Sequence, residues 1–244
     1  MSGESFEGQV DRTWSSHFGC APEDLQHAGT TLVPRDNLAG SGAIQIAHLR
    51  AHAFIELDPA LETELAGILH RRGHEVSLTA AMISESLSAE RVRTADRGLI
   101  FHLEAVRLTV RTPAPPISMR ALTGADQPSL QSLFGRCEPD EVDDAYVEVG
   151  HEIACGCFVG DRMVACGSGY RRHGFMDLGV LTDPAFRGRR LAPSIVSDLA
   201  RRAIDLAAVS MYRCDQINTA SRRVAEVAGF TRCFVTETLT LAPA

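Results

Sequence analysis

The sequence predicts an α+β protein with a smaller N-terminal and a larger C-terminal domain. Short segments with the period-two alternation of β-strands occur between segments with helical periodicity along the whole chain. The length of 244 residues suits one large domain or two small ones. Three prolines in residues 112–116 favour an extended connector. We therefore expect an α+β domain over residues 1–111, a linker over 112–116 and a second domain over 117–244.

The first 111 residues carry helix and strand patterns but no recognisable chemical motif. Helices are expected near residues 9–18, 61–69 and 77–87, and strands over 30–34, 43–57 and 99–103.

The second part has clearer boundaries and the predicted order β-α-β-β-β-α-β-α-β. The predicted strands cover residues 118–122, 153–159, 163–170, 176–182, 209–214 and 230–241, and the helices cover 126–134, 191–206 and 219–228. Gly160 and Asp161 predict a tight hairpin turn between two of the strands. In the helix over 191–206 one predicted face is apolar, formed by Leu191, Ile195, Val196, Leu199, Ala203 and Leu206.

Composition and charge exclude several classes of function. Hydrophobic residues make up 45% and charged residues 23%, which is typical of a soluble globular protein. No apolar run approaches the roughly 20 residues of a membrane span, and the acidic first seven residues do not resemble a signal peptide. The net charge of −7 argues against binding to nucleic acid, but it would not repel a small cationic amine.

The seven cysteines are scattered and odd in number, so we expect free thiols in a reducing cytoplasm. Cys155 and Cys157 do not have the spacing of a zinc knuckle, and Gly73 is expected to end the helix between His70 and His74. The sequence therefore predicts no metal site.

A basic loop follows the strand over 176–182. Arg187, Gly188, Arg189 and Arg190 precede an amphipathic helix, and Pro193 suits the first turn of that helix. The first N–H groups of a helix have no partner within the helix, and its dipole is positive there. Because glycine lets the backbone approach a phosphate closely, the loop predicts an anion site in an otherwise acidic chain.

A second segment, Asn218 to Phe230, begins with a preferred N-cap residue and ends with Gly229. Together the two segments resemble the GNAT superfamily of N-acetyltransferases. Residues 182–192 resemble its pyrophosphate-binding motif, the Asn-x-x-Ser…Gly-Phe pattern resembles its next motif, and residues 120–126 match the usual start of the domain. The resemblance covers about residues 117–241 and implies a mixed, mostly antiparallel sheet flanked by helices.

The resemblance implies that acetyl-CoA, or another acyl-CoA, is the cofactor, and it assigns cofactor-binding roles. The strand backbone at Val180, Leu181 and Thr182 would bind the pantetheine arm and the thioester. Arg187, Gly188, Arg189, Arg190, Leu191, Ala192 and Pro193 would hold the pyrophosphate, and Asn218 and Ser221 would contact the far side of the arm. The strands over 176–182 and 209–214 are expected to part so that the cofactor enters between them.

Two positions depart from the family pattern. Arg190 replaces the middle glycine of the pyrophosphate motif, and Ala225 stands where many members have a tyrosine that acts as general acid. Other groups must then move the protons. We expect Asp215 or Glu152 to act as the base and Tyr212 or water to supply the proton, and Asp177 is a further carboxylate in the expected cleft.

The expected reaction is direct attack of a neutral primary amine, most simply of a small molecule, on the thioester. A peptide or protein amine as acceptor, or a catalytically silent acyl-CoA sensor, are the alternatives. Some family members carry a divergent GNAT-like unit before the catalytic domain, and the first 111 residues could be one. That region would wall off the acceptor cleft or form a homodimer.

Overall fold

The fold is described from a computed structural model for residues 5–87 and 91–242, so the first four of the residues compared above with a signal peptide lie outside the described part. The α-helices are α1 Phe6–Phe18, α2 Glu62–Arg72, α3 Ala80–Ser86, α4 Gln127–Phe134, α5 Pro139–Ala145, α6 Leu191–Asp205 and α7 Thr219–Ala228. The strands are β1 Gly29–Pro34, β2 Ala43–Leu49, β3 His52–Leu57, β4 Val92–Leu103, β5 Ser118–Ala121, β6 Ile153–Val159, β7 Arg162–Arg172, β8 Phe175–Thr182, β9 Ser210–Asp215 and β10 Thr231–Leu241.

Internal contacts divide the described chain into two compact units. Among the described residues, unit 1 contains those up to Ile100, Asp215–Ile217 and those from Cys233 onward, and unit 2 contains Phe101–Cys214 and Asn218–Arg232. The division at residues 112–116 stays a prediction as a boundary of independent folding. The contact units differ from it, because the residues just before the proline-rich segment group with unit 2 and the end of the chain groups with unit 1.

Unit 1 has the strand order β1-β3-β2-β10-β4. β1 and β3 are parallel, whereas β3 and β10 both run antiparallel to β2. Its apolar core includes Ile44, Ile55 and Leu65, which are all fully buried. Burial of such side chains contributes about 1.5–3 kcal/mol each.

The structure corrects three details of unit 1. The single strand predicted over 43–57 is a hairpin, because Arg50 adopts a left-handed φ of 53° and turns the chain. α3 begins at Ala80 rather than Ser77, since Thr79 caps it while the Ser77 hydroxyl bonds the carbonyls of Gly29 and Ala51. β4 starts at Val92 rather than near Leu99, because its first half is too polar to show strand alternation.

Unit 2 has the strand order β9-β8-β7-β6-β5, with β8 and β9 parallel and the other pairs antiparallel. The mixed, mostly antiparallel sheet is therefore confirmed. Successive residues of β7 point to opposite faces. Cys166 packs in a core cluster with residues of α4, whereas a Cβ on Gly167 would meet Ile195 and Leu199 of α6. α4 thus covers one face of the sheet and α6 the other.

Two differences from the prediction concern helices of unit 2. Leu206 does not belong to the buried face of α6, because the helix ends at Asp205 and the Leu206 side chain is 45% exposed. α5 was not predicted, since its residues are mostly acidic and give no apolar periodicity.

Candidate active site

The parallel strands β8 and β9 pair over a short length only. The register runs from Met176 opposite Ser210 to Leu178 opposite Tyr212, and both strands continue beyond it. The predicted parting of these strands is therefore confirmed. From Gly179 to Thr182, β8 keeps its ladder with β7 while its other edge has no register partner in β9. An extended ligand can pair with such an edge.

Asp183 fixes the exit of β8 into the basic loop. Its buried carboxylate accepts hydrogen bonds from the Ala185 N–H at 3.0 Å, from Arg136 Nε at 2.7 Å and from Arg162 Nη2 at 2.8 Å. Burial opposes ionisation of Asp183, but these arginines outweigh it and lower the pKa of the carboxyl group. The loop therefore begins from a rigid, ionised anchor.

The loop and the start of α6 present a row of backbone donors. Within the described chain, the N–H groups of Gly188, Arg189, Arg190, Leu191 and Ala192 have no backbone acceptor, and the first helical bond runs from Ser194 N to Arg190 O at 3.3 Å. Gly188 has a φ of 77°, and no atom lies within 4 Å of where its Cβ would be. Pro193 follows in the first turn, as predicted. Such a row of donors suits an anion such as a pyrophosphate.

Thr182 adds an orphaned polar atom at the start of this region. Its Oγ1 is buried and has no hydrogen-bond partner in the described chain. A buried hydroxyl without a partner costs about 1–3 kcal/mol. The hydroxyl therefore fits a site in which a bound ligand supplies the missing partner.

The three arginines of the loop lie in different surroundings. Arg187 donates through Nη2 to both carboxylate oxygens of Glu141, at 2.8 and 2.7 Å, and its Nε lies 3.5 Å from Thr182 O. The Arg189 guanidinium lies over the Phe186 ring, 4.9 Å from its centroid. Arg190 caps α6 in a left-handed conformation with a φ of 61°. Glycine adopts this conformation at no steric cost, whereas it costs a non-glycine residue about 1–2 kcal/mol.

Asn218 and Ser221 form the start of α7. Asn218 Oδ1 accepts from Ser221 N at 2.9 Å, and Ser221 Oγ lies 2.8 Å from the Tyr212 hydroxyl. Burial raises the pKa of Tyr212 to about 12, against a smaller opposite effect of its hydrogen bond to Ser221. The phenol therefore stays protonated near neutral pH, in the form that can donate a proton. Ala225, one turn after Ser221 in α7, is fully buried.

Glu152 and Asp215, the two carboxylates predicted to act as the base, each bond to a neighbouring group of the protein. Glu152 pairs with Arg171, whose Nε lies 3.2 Å from Oε2. Asp215 is exposed, groups with unit 1 and accepts from Ile217 N at 2.7 Å. Both assignments as base stay predictions.

Sequence reasoning missed a buried polar group around His151. Nδ1 of His151 lies 2.8 Å from the hydroxyl of Ser168, which is fully buried and opposite Gly179 in the ladder. Nε2 lies 3.8 Å from a Glu148 oxygen, and the ring packs against Tyr170 with 4.9 Å between centroids. Burial lowers the pKa of His151, against the nearby carboxylates, so the imidazole is neutral near pH 7. Ser168 and Tyr170 are polar residues two positions apart on one face of β7, and this pattern was the sequence signal that could have predicted the group.

Asp177 lies on the same side of the sheet. Its buried carboxylate accepts from Arg213 Nε at 2.8 Å and from the Tyr170 hydroxyl at 3.2 Å. This ion pair and hydrogen bond place Asp177 in the framework that orients Tyr170.

Within the described residues, no group of three or more His, Cys, Asp or Glu side chains is arranged to hold a metal ion. None of the described helices combines the length and the apolar character that a membrane crossing requires.

Neither the protein-family models nor the curated proteins include a match to this sequence. Solved structures do match. A GNAT-family acetyltransferase from Colwellia psychrerythraea aligns with a TM-score of 0.54 and 14% identity over 98% of each chain. A GCN5-related N-acetyltransferase from Kribbella flavida aligns with a TM-score of 0.53 and 14% identity, over 77% of this chain and 78% of that one.

A third structure, a GCN5-related N-acetyltransferase from Sphaerobacter thermophilus, has a TM-score of 0.50 and 12% identity, with 83% of this chain and 78% of that one covered. At such identities the similarity establishes the fold alone. The chain therefore has the fold of the GNAT acetyltransferases.

Proposed function

We propose that the protein is an N-acetyltransferase that transfers the acetyl group of acetyl-CoA to a primary amine of a small molecule. The observation that carries this proposal is the coincidence of three features in unit 2. They are the open edge of β8 beyond Leu178, the orphaned hydroxyl of Thr182 and the row of free N–H groups from Gly188 to Ala192. Together they fit a long ligand that is extended at one end and anionic at the other.

Each predicted binding residue has a role in this proposal. The β8 backbone at Val180, Leu181 and Thr182 pairs with the pantetheine arm, and an N–H group there polarises the acyl carbonyl. The segment from Arg187 to Pro193 binds the pyrophosphate. Asn218 caps the start of α7, and in the proposal Asn218 and Ser221 contact the far side of the arm.

Acetyl-CoA, when bound, supplies the activated thioester. In the proposed reaction the amine nitrogen forms a bond to the acetyl carbon, the carbon–sulfur bond breaks, and the thiolate is protonated. Tyr212, protonated and hydrogen-bonded to Ser221, is the proposed donor. Neutral His151 joins Glu152 and Asp215 as a candidate to take the proton of the ammonium.

A catalytically silent acyl-CoA sensor is the second candidate function. Ala225 favours it, because this buried methyl group replaces a common proton donor. Such a protein would bind the cofactor with the same residues and acetylate nothing.

Binding and turnover test the proposal separately. By calorimetry, Arg187→Ala with Arg189→Ala should weaken acetyl-CoA binding by about 2–4 kcal/mol, because two charged phosphate contacts are lost while the backbone donors remain. Arg201→Ala is the control. Arg201 lies near the end of α6, far from the loop that precedes the start of this helix, so the variant should leave acetyl-CoA affinity unchanged. An unchanged affinity in the double variant would remove the loop from the site.

Turnover is measured as free thiol released from acetyl-CoA with a panel of small amines and peptides. Acetylation of small amines supports the proposed enzyme, and acetylation of peptides alone would favour the alternative acceptor. Tight cofactor binding with no transfer to any member of the panel would leave the sensor as the function.

A further inference from the structure

An open cavity of about 530 Å³ lies in unit 2 beside α4 and α5. Its apolar wall includes Leu130 and Phe134 of α4 and Val142 of α5, and the segment from Tyr146 to Gly150 completes it. The volume lies within the roughly 300–1,000 Å³ of small-molecule sites. Because it is open on one side, a small molecule can enter from solvent.

The cavity lies over the part of β8 that has left β9. Leu130, Val147 and Leu181 belong to one core cluster, so its walls pack on the free segment of β8. At Gly179 the contact is closer still, since a Cβ there would lie 1.8 Å from Ala145 O at the end of α5. Only glycine allows α5 to approach the strand this closely, which places the cavity next to the proposed acyl position.

The charged groups of the cavity are all acidic. Asp143 and Glu148 contribute to its lining, and no arginine is among the described residues that line it. Along the chain, residues 138–152 include seven Asp and Glu residues and no Arg or Lys. A ligand in this cavity meets negative potential at its polar end and apolar or aromatic surface along its body.

We propose, on the basis of the proposed function, that this cavity binds the acceptor and that the acceptor is a monoamine with an apolar body and no anionic group. The ammonium group lies toward Asp143 and Glu148, where both carboxylates attract it. The apolar body lies against Phe134, Leu130 and the ring of Tyr146. A carboxylate of the same shape is repelled by both acids.

The first test compares two ligands of nearly the same shape, phenethylamine and 3-phenylpropionate. Their binding to the full-length protein is measured by calorimetry in the presence of saturating CoA. Phenethylamine should bind and 3-phenylpropionate should not. The proposal would be overturned if both ligands bound equally well, or if neither ligand bound.

A pair of neighbouring variants localises the site. Asp143→Asn should weaken phenethylamine binding about two- to five-fold, the range for one solvent-exposed ion pair. Asp144→Asn removes the same charge from the next residue of α5, outside the lining, and should leave binding unchanged. Equal effects of the two variants would overturn the cavity as the site.

A space-filling variant tests the apolar part. Gln131 is exposed on α4 and lines the cavity, so Gln131→Trp should reduce phenethylamine binding at least ten-fold, by filling the cavity, while acetyl-CoA affinity stays unchanged. Unchanged amine binding in this variant would overturn the proposal.

These results separate the inference from the proposed function. If phenethylamine binds as expected but no acetyl group is transferred to any amine, the proposed function fails and the cavity assignment stands. If amines are acetylated and both Asp143→Asn and Gln131→Trp keep full kcat/KM with phenethylamine, the cavity assignment fails and the proposed function stands.

Discussion

Arg190, in the proposed binding loop, stands where the motif that this loop resembles has glycine. Arg190 has a left-handed conformation, which costs a non-glycine residue about 1–2 kcal/mol. The backbone N–H groups of the loop remain available despite this cost. The substitution therefore changes the stability of the loop more than the geometry of its donors.

Comparison of Arg190→Gly with Arg190→Ala separates conformation from charge. Both variants remove the guanidinium, so both should lose the same acetyl-CoA affinity. Arg190→Gly should be the more stable of the two by about 1 kcal/mol in urea unfolding, because glycine adopts the left-handed conformation without strain. Equal stability of Arg190→Ala and Arg190→Gly would contradict a left-handed conformation at residue 190 in the folded protein.

Helix α5 contacts both the proposed binding loop and the proposed acceptor cavity. Glu141 near its start holds Arg187, while its last residue, Ala145, lies against Gly179 of β8. The two charged side chains are 48% and 40% exposed, so their ion pair contributes at most about 1 kcal/mol. A pyrophosphate can therefore displace Glu141 from Arg187 at small cost.

This competition predicts that Glu141→Gln binds acetyl-CoA more tightly than the wild type. The affinity should rise up to about five-fold. In the wild type, binding breaks the Glu141–Arg187 ion pair, which is worth at most about 1 kcal/mol, and the variant has no such pair to break. Calorimetry measures it, with Asp140→Asn, an exposed neighbour on the same helix, as the control for net charge. If Glu141→Gln bound acetyl-CoA no more tightly than the wild type, Glu141 and the pyrophosphate would not compete for Arg187.

The chain returns to unit 1 with its last strand, β10. β10 pairs with β2 over six positions, from Thr240 opposite Ala43 to Val235 opposite His48. The first strands of unit 1 therefore depend on a strand that lies more than 180 residues later in the sequence. A fragment that starts at residue 117 carries β10 without this partner, and it also lacks the contact of Arg111 N with Ser197 Oγ.

Limited proteolysis tests this dependence. Residues 112–116 are largely exposed and lie outside helices and strands, so a broad-specificity protease should cut there first. The two pieces should still elute together from a sizing column, because β10 on the later piece remains hydrogen-bonded to β2 on the earlier one, and they should separate in urea. Separate elution without denaturant would contradict the position of β10 in the unit 1 sheet.

Local sequence patterns were enough to predict most helices and strands of unit 2, though not α5, and the position of the basic loop. β6 and α7 have the predicted bounds, since strand alternation, a hairpin turn, an Asn cap and a terminal glycine are local signals. The loop from Arg187 to Arg190 was recognisable for the same reason, because its charge, its glycine and the following helix are consecutive. Local backbone chemistry sets these features before any tertiary contact forms.

Which side chains meet across the fold became known from the three-dimensional structure. The proximity of Glu141 to Arg187, of His151 to Ser168 and of Ala145 to Gly179 depends on how α4, α5 and the loop before β6 pack on the sheet. The same holds for β10, whose apolar pattern predicts a strand but not its neighbours in the sheet. Contacts between distant segments depend on the packing of whole faces, which a local sequence pattern does not encode.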